Sequence, residues 1–320
     1  MVVLSSHVAI TTDRGTIVPH IAEISATSSV SQISDTATIT LPRRQIVGNK
    51  LLHEVVKRGD AITIQIGYNA QNTTILQGYI LSADGSMPCK IECEAESYLL
   101  KQVKLEPKAH THIKLKKLLA PLMPTGINVS VPDMDIVNLH IKKNTPLLKL
   151  ITGIADDYSI RFFISGKTLY GVLPTALVTP DATTHKIDLR KNTVADNLVY
   201  TSEEDIKVGI IAKTMTKDNK VLEVQVGDKD GEVRTYWNNA ATSTAELKKF
   251  AEQKMAEFRA DKVTGTVTLW GLPFVKKADI LHITDAERET INGKKFFVET
   301  VHYVWGNGGY RQTITIGNKV

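Results

Sequence analysis

Cysteine is almost absent from this chain, with two in 320 residues. That excludes a small scaffold stapled by disulfides. The pair, Cys89 and Cys93, sits in Pro88-Cys89-Lys90-Ile91-Glu92-Cys93-Glu94, whose alternation reads as a strand. Four residues apart on a strand they share a face but stand too far apart to bridge. Both are expected to be small buried hydrophobes of a reducing compartment, and a metal pair would need further ligands that the neighbourhood lacks. Long apolar runs are missing too: none approaches the ~20 residues that cross a bilayer. The N-terminus turns polar at once, without the charged start, apolar core and cleavage site of a secretion signal. A soluble protein made in a cytoplasm is expected, with no membrane insertion. Charge of one sign is also lacking, because Lys+Arg 39 against Asp+Glu 34 leaves only +5. This is far from the dense basic stripe of a dedicated nucleic-acid binder.

What is present suits a folded protein of two or three domains: 42% hydrophobic and 23% charged residues over 320 positions. The first hundred residues alternate or run apolar over 16–24, 37–41, 61–66, 75–81 and 89–94. Asn69-Ala70-Gln71-Asn72 and Asp84-Gly85-Ser86 supply turn residues between them. A small antiparallel barrel or sandwich follows. From about Ser97 the period changes, and Leu99, Leu100 and Val103, then Ile113, Leu115, Leu118, Leu119 and Leu122, fit short helical faces. Pro121 and Pro124 are expected to stop the second. A further helix is predicted from Pro146, at the first helical position after a capping Thr145, through Leu147, Leu148, Ile151, Ile154 and Tyr158. A hairpin turning at Ser165-Gly166-Lys167 completes an α+β insert.

A polar connector at 174–185 leads back to strand character from Asn197 through 208–212 and 221–226, read as the start of a second barrel. One helix interrupts it at 244–260, with Thr244 as N-cap and Leu247, Phe250, Ala251 and Phe258 as its apolar stripe. Alternation then returns over 265–269, 280–283, 295–303 and 312–316. The two β-rich ends also resemble each other. Lys57-Arg58-Gly59-Asp60-Ala61-Ile62-Thr63-Ile64 lines up with Lys276-Lys277-Ala278-Asp279-Ile280-Leu281-His282-Ile283, and a second strand follows each. A duplicated barrel explains the match; the alternative is that turn, Asp and strand recur in any β domain.

Groups that carry chemistry are sparse. His110-Thr111-His112 places two imidazoles on one face of a strand, but a third metal ligand is missing and the nearest acid, Glu106, precedes Pro107. Solvated histidines are expected there. Asp133-Met134-Asp135 and Asp156-Asp157 lack the supporting ligands for calcium or a paired-carboxylate mechanism, and read as a turn and a helix end. Gly306-Asn307-Gly308-Gly309 precedes a strand rather than a helix, so it is a hairpin loop and no phosphate cradle. The aromatic residues Tyr68, Tyr79, Tyr98, Trp237, Trp270 and Trp305 would stack single-stranded nucleic acid only if brought to one barrel face, and their scatter among strand ends favours packing. No G-x-S-x-G elbow, H-E-x-x-H helix or C-x-x-C pair occurs. No catalytic, cofactor or metal residue is assigned.

Residues 56–68, Leu76-Gln77-Gly78-Tyr79-Ile80 and 91–101 are similar to the first barrel of phage baseplate hub proteins, the late-control-D group, and to the N-terminal half of type VI secretion spike proteins. Residues 265–274, Ala278-Asp279-Ile280, 293–298 and 309–317 resemble the family's second barrel. The match covers most of both ends, with the middle matched by position, and order and spacing carry it rather than one motif. Ala278 stands where the family pattern has Gly, which bears on the local turn only. The resemblance implies a mainly β fold: a first tube barrel at 1–102, an α+β insert at 103–190, and a second tube barrel at 191–320 with a helix inserted near 244–260. It implies a homotrimeric ring that adapts a six-fold tail tube to a three-fold central spike in a contractile tail baseplate. The implied partners are the tube protein, a spike on a separate polypeptide and other baseplate proteins, with DNA only passing through. The implied location is the virion, after assembly in the host cytoplasm, and no enzyme activity is implied. An OB-like nucleic-acid-binding module and a cell-wall-hydrolase spike component are the rival expectations.

Overall fold

A computed structural model describes residues 6–12, 20–42, 46–47, 49–69, 71–158, 160–173, 179–202, 207–215, 220–228, 230–238, 241, 243–258 and 262–320. The expected strand at 16–24 and the connector from 174 lie partly outside these residues, as does the end of the helix predicted to reach 260. The contacts divide the chain into two compact units. One comprises Met1–Asn197 with Thr266–Asn318 and Val320; the other comprises Leu198–Gly265 with Lys319.

The larger unit is mainly β, as the sequence predicts. Its first half supplies β1 (Ser6–Thr12), β2 (Glu23–Ser29), β3 (Thr36–Leu41), β4 (Ala61–Tyr68), β5 (Gln71–Ala83) and β6 (Cys89–Ala95). Alternation drives their pairing: Ile62, Ile64 and Ile66 are buried while Ala61, Thr63 and Gln65 are half-buried. Gly78 lets β5 and β6 approach, since a Cβ there would lie 2.1 Å from the Glu94 carbonyl. β1 precedes the first strand expected from the sequence, at 16–24.

The middle segment mixes helices and strands, and it differs from the expected 103–190 insert at both ends, since Ser97–Gln102 packs with it and Thr184–Asp188 joins the large sheet. It holds α1 (Ser97–Gln102), β7 (Lys108–Lys114), α2 (Leu115–Leu119), β8 (Asn128–Ser130), β9 (Asp135–Ile141), α3 (Leu147–Tyr158), β10 (Arg161–Ser165) and β11 (Thr168–Val172). Leu100, Leu118, Leu119, Leu147, Ile151 and Phe162 share its core. Three expectations are corrected here. Ile113 lies on β7, so helical spacing begins at Leu115. Pro121 sits inside a 3-10 turn at Ala120–Leu122 rather than after it. Thr145–Pro146 bridges to Lys104–Leu105 as a short strand and α3 begins at Leu147, because the chain is still extended where a cap was expected.

The second half of the large sheet uses β12 (Thr184–Asp188) and β13 (Thr193–Asp196). The smaller unit follows in the chain: β14 (Val199–Thr201), β15 (Val208–Met215), β16 (Val221–Gly227), β17 (Glu232–Trp237), α4 (Thr244–Phe258) and β18 (Lys262–Thr264). Then come β19 (Thr266–Leu269), β20 (Ile280–Thr284), β21 (Lys294–Gly306) and β22 (Gly309–Lys319). In the smaller unit β15 lies between β16 and β17, and Leu247 and Ala251 of α4 pack on Val208, Ile210 and Ala212. The strands at 208–212 and 221–226, read as barrel strands, therefore form a sheet of their own under α4. Alternation marks one buried face and does not say which element covers it. The cap of α4 is Ser243, whose Oγ accepts the Glu246 amide at 3.2 Å, and Thr244 is the first helical residue.

In the large sheet the first half runs β1-β4-β5-β6-β3-β2, and the second runs β12-β20-β21-β22-β19-β13. Numbering each set of six by its place in the chain gives the order 1-4-5-6-3-2 twice. A departure is that β12 runs parallel to β20 whereas β1 runs antiparallel to β4. The halves meet where β2 pairs β21, making one sheet of 12 strands. The sheet curls strongly, since the Tyr68 hydroxyl on β4 donates to the Tyr310 carbonyl on β22 at 2.8 Å.

Candidate functional site

The matched segments noticed in the sequence form the same turn. Before β4, the Lys57 amide donates to the Asp60 carboxylate at 2.8 Å and the Asp60 amide to the Lys57 carbonyl at 3.1 Å. The Gly59 amide donates to the Ile80 carbonyl, and the Ile80 amide to the Asp60 carbonyl. Before β20, Lys276, Asp279, Ala278 and Val298 make the same four bonds. Gly59 has φ +93° and Ala278 has φ +66°, so alanine takes the left-handed backbone its partner takes as glycine. The turn geometry is kept despite the substitution. Asp279 also accepts the Thr183 amide at 3.0 Å and lies 2.9 Å from His185 Nε2.

The joint between the halves is a ladder from Ile24 opposite Trp305 to Ser29 opposite Thr300. Side chains reinforce it. Ser29 Oγ and Thr300 Oγ1 are 2.7 Å apart, and Thr27 Oγ1 lies 3.0 Å from His302 Nδ1. Beneath it Lys277 is 4% exposed, and its Nζ meets Asp35 at 2.6 Å. The Asp35 carboxylate also accepts the Ser28 hydroxyl at 2.9 Å. Desolvation holds the Lys277 ammonium below its ordinary range, and the Asp35 charge opposes that shift. The insert docks on the same joint: Phe163 packs with Val30, Ala278 and Phe297, and Arg161 pairs Glu299 at 2.9 Å. A cavity of about 220 Å³ opens beside the ion pair, walled by Asp35, Glu96, Lys276, Lys277 and Tyr303 among others. No local pattern announces Lys277 and Asp35, which lie 242 residues apart in the chain.

The residues weighed from sequence for chemistry do not gather at this joint. His110 and His112 lie on β7, where His112 Nε2 is 3.3 Å from Asp135. Lys114 Nζ lies 3.2 Å from both Asp133 and Asp135, and this contact holds the Asp135 carboxyl below its ordinary range. A lysine thus occupies the space between the acids. Asp156 and Asp157 are exposed in the last turn of α3. Among the described residues no group of three or more His, Cys, Asp or Glu side chains is arranged to hold a metal. Gly306 and Gly309 flank the β21–β22 hairpin as expected. Cys89 and Cys93 are buried and unbridged, and burial pushes the Cys93 thiol up to about 12. Of the six aromatics, Tyr79 stacks on Tyr98 at 5.0 Å, Tyr68 tilts against Tyr310, and Trp270 carries the Arg311 guanidinium at 4.2 Å. Trp237 is exposed on β17 and Trp305 half-buried on β21. These contacts are packing pairs on separate elements.

Comparison with known proteins gives no match to any protein-family model and none to a curated protein. Solved structures do match over nearly the whole length. The 43 kDa tail protein of prophage MuSo2 from Shewanella oneidensis superposes with a TM-score of 0.66 at 14% identity, covering 98% of each chain. The chain has the fold of phage tail proteins. A tail protein from Neisseria meningitidis MC58 shares that fold at a TM-score of 0.67 and 15% identity, over 98% of this chain and 96% of the other. A component of the E. coli type VI secretion system, described as structurally similar to phage T4 tail proteins, matches at 0.58 and 10% identity, over 96% of this chain and 76% of its own. The tail-protein fold thus includes the insert and the smaller unit as well as the doubled sheet.

Proposed function

We propose that the chain is a structural hub of a contractile phage tail baseplate, closing as a homotrimer into a ring between a six-fold tail tube and a three-fold central spike. The repeated strand order 1-4-5-6-3-2 carries this reading. A chain built of two like sectors presents six like units from three copies. Such a ring matches six-fold symmetry on one face while remaining three-fold on the other. In this reading the sectors are the two half-sheets, contributed by the ends of the chain, and the α+β segment and the Leu198–Gly265 unit are attachments to them. The likeness to tail proteins and to a secretion-system component supports a mechanical rather than catalytic role in a virion tail. The proposed partners are the tube protein, a central spike and other baseplate proteins, and DNA only passes through the lumen. Light scattering on the purified protein, alone and with its tube and spike partners, tests this. A mass of three chains is expected, and a monomer under every condition refutes it.

A further inference from the structure

Most large apolar side chains of the larger unit are buried, and the loop from Trp270 to Asp279, between β19 and β20, is an exception. Trp270 is 44% exposed and Leu272 53%. The loop is held firmly all the same. Gln312 is fully buried, and its side-chain amide donates to the Pro273 carbonyl at 2.9 Å while accepting the Val275 amide at 3.0 Å. The Tyr303 hydroxyl donates to the Val275 carbonyl at 2.8 Å, and its ring stacks on Phe274. Gly271 has φ +90° and runs so close to the Tyr310 ring that a Cβ there would lie 2.3 Å from it, so the chain passes only as glycine. An exposed tryptophan and leucine are thus presented by a loop that is ordered before anything binds, which lowers the entropic cost of docking.

The charge beside this tip has one sign. The Arg311 guanidinium sits 4.2 Å from the Trp270 ring centre, and it donates to the Tyr310 carbonyl at 2.8 Å. Lys276 is exposed on the same loop, with its ammonium 6.0 Å from the Phe274 ring. Among the described residues neither cation pairs with an acid. Tryptophan and arginine are the side chains that concentrate binding energy at the centre of an interface. The surface that complements them is an apolar pocket with carboxylates at its rim.

The number of tips identifies the partner. In the first half the corresponding link, 42–60, holds no tryptophan, tyrosine or phenylalanine, and the three tryptophans of the chain are at 237, 270 and 305. Both links leave the same end of the sheet, since Leu41 lies opposite Cys89 after the β5–β6 hairpin and Leu269 lies opposite Gln312 after the β21–β22 hairpin. A ring of three chains therefore carries six like sectors but only three tips. Six identical tube subunits cannot all engage a feature found in alternate sectors, whereas a three-fold partner can use every copy. We propose that Trp270, Leu272 and Arg311 are the docking site for the central three-fold spike, each spike chain receiving the tip in an apolar pocket edged by a carboxylate. The inference rests on the ring reading above and adds to it the anchor residues.

Interferometric binding of the full chain to the purified spike and tube proteins of the same tail tests it. Leu272→Asp and Trp270→Ala are each expected to weaken spike binding by at least about 30-fold, and Arg311→Glu by about tenfold. The mass of three chains, the thermal transition and tube binding should stay at their parental values. Val137→Asp, at a comparably exposed place on the insert, is expected to leave spike binding unchanged. Rings of Leu272→Asp and Arg311→Glu protein that bind the spike as the parent does overturn the inference and leave the ring reading standing. Loss of tube binding with spike binding kept also overturns it, by assigning the tip to the tube. An equal loss from Val137→Asp overturns it as well, by showing that the response is not specific to the tip. A parent chain that stays monomeric with both partners refutes the ring reading and the inference together.

Discussion

Lys277 shows how much of this fold rests on single side chains. A buried ammonium is tolerable only with its partner in place, so Asp35→Ala should destabilise the larger unit by about 3–5 kcal/mol. Lys277→Met, which removes the charge and keeps the volume, should cost much less, and urea unfolding of the two variants checks the order. Gly59 offers a second test. Alanine there must hold φ +93° and place its Cβ 3.2 Å from the Tyr98 hydroxyl, so Gly59→Ala should cost about 1–2 kcal/mol without changing the turn. The turn tolerates alanine at position 278, where φ is a milder +66° and the surroundings are apolar. Asp285 belongs to the acid limb of stability. Hydrogen bonds from Arg288 and from the Glu287 amide hold its folded carboxyl below the ordinary carboxylate range. The stability it contributes is therefore present above the unfolded carboxyl's pKa and is lost as pH falls through the lowered folded one. Denaturant midpoints followed from pH 7 to pH 3 should fall less steeply for Asp285→Asn than for the parent protein.

Among the elements, legibility tracks how local the cause is. The strands at 61–68 and 89–95 are plain in the sequence because residues alternate between buried and open faces, and of the α3 stripe Leu147, Ile151 and Ile154 are equally explicit, while Leu150 is buried where Leu148 was expected. β1 is not, since its partner lies far along the chain. Pro146 and Thr244 mislead for another reason: each carries a helix-start preference of its own, yet the first is already bridged to Lys104 and the second is preceded by a better-placed Ser243. The smaller unit is the largest departure. Its strands alternate as barrel strands do, and only the packing of α4 on β15 and β16 tells them apart. Its compactness leads to a prediction. Asn197 and Thr266 already bond each other, through the Asn197 amide at 3.1 Å and the Thr266 amide onto the Asn197 side chain. Replacing residues 198–265 by a short glycine-rich turn should leave the larger unit folded, with its β signal and cooperative thermal transition retained in circular dichroism.

At the scale of the molecule, the duplication was visible in outline from two bases, a small residue and Asp repeated ahead of a strand. The matching strand orders were not, because pairings such as β2 with β21 join residues some 277 apart and leave no periodic trace. The joint residues Asp35, Lys277, Thr27 and His302 stayed hidden for the same reason. In the proposed ring, two like sectors per chain become six around one axis. Electron cryo-microscopy of the assembled protein tests this directly. A closed three-fold ring is expected, with six similar β lobes around a central channel, successive lobes being alternately the first and second half of a chain. Particles in which the two half-sheets face different axes, or in which copies meet through a two-fold contact, would contradict it.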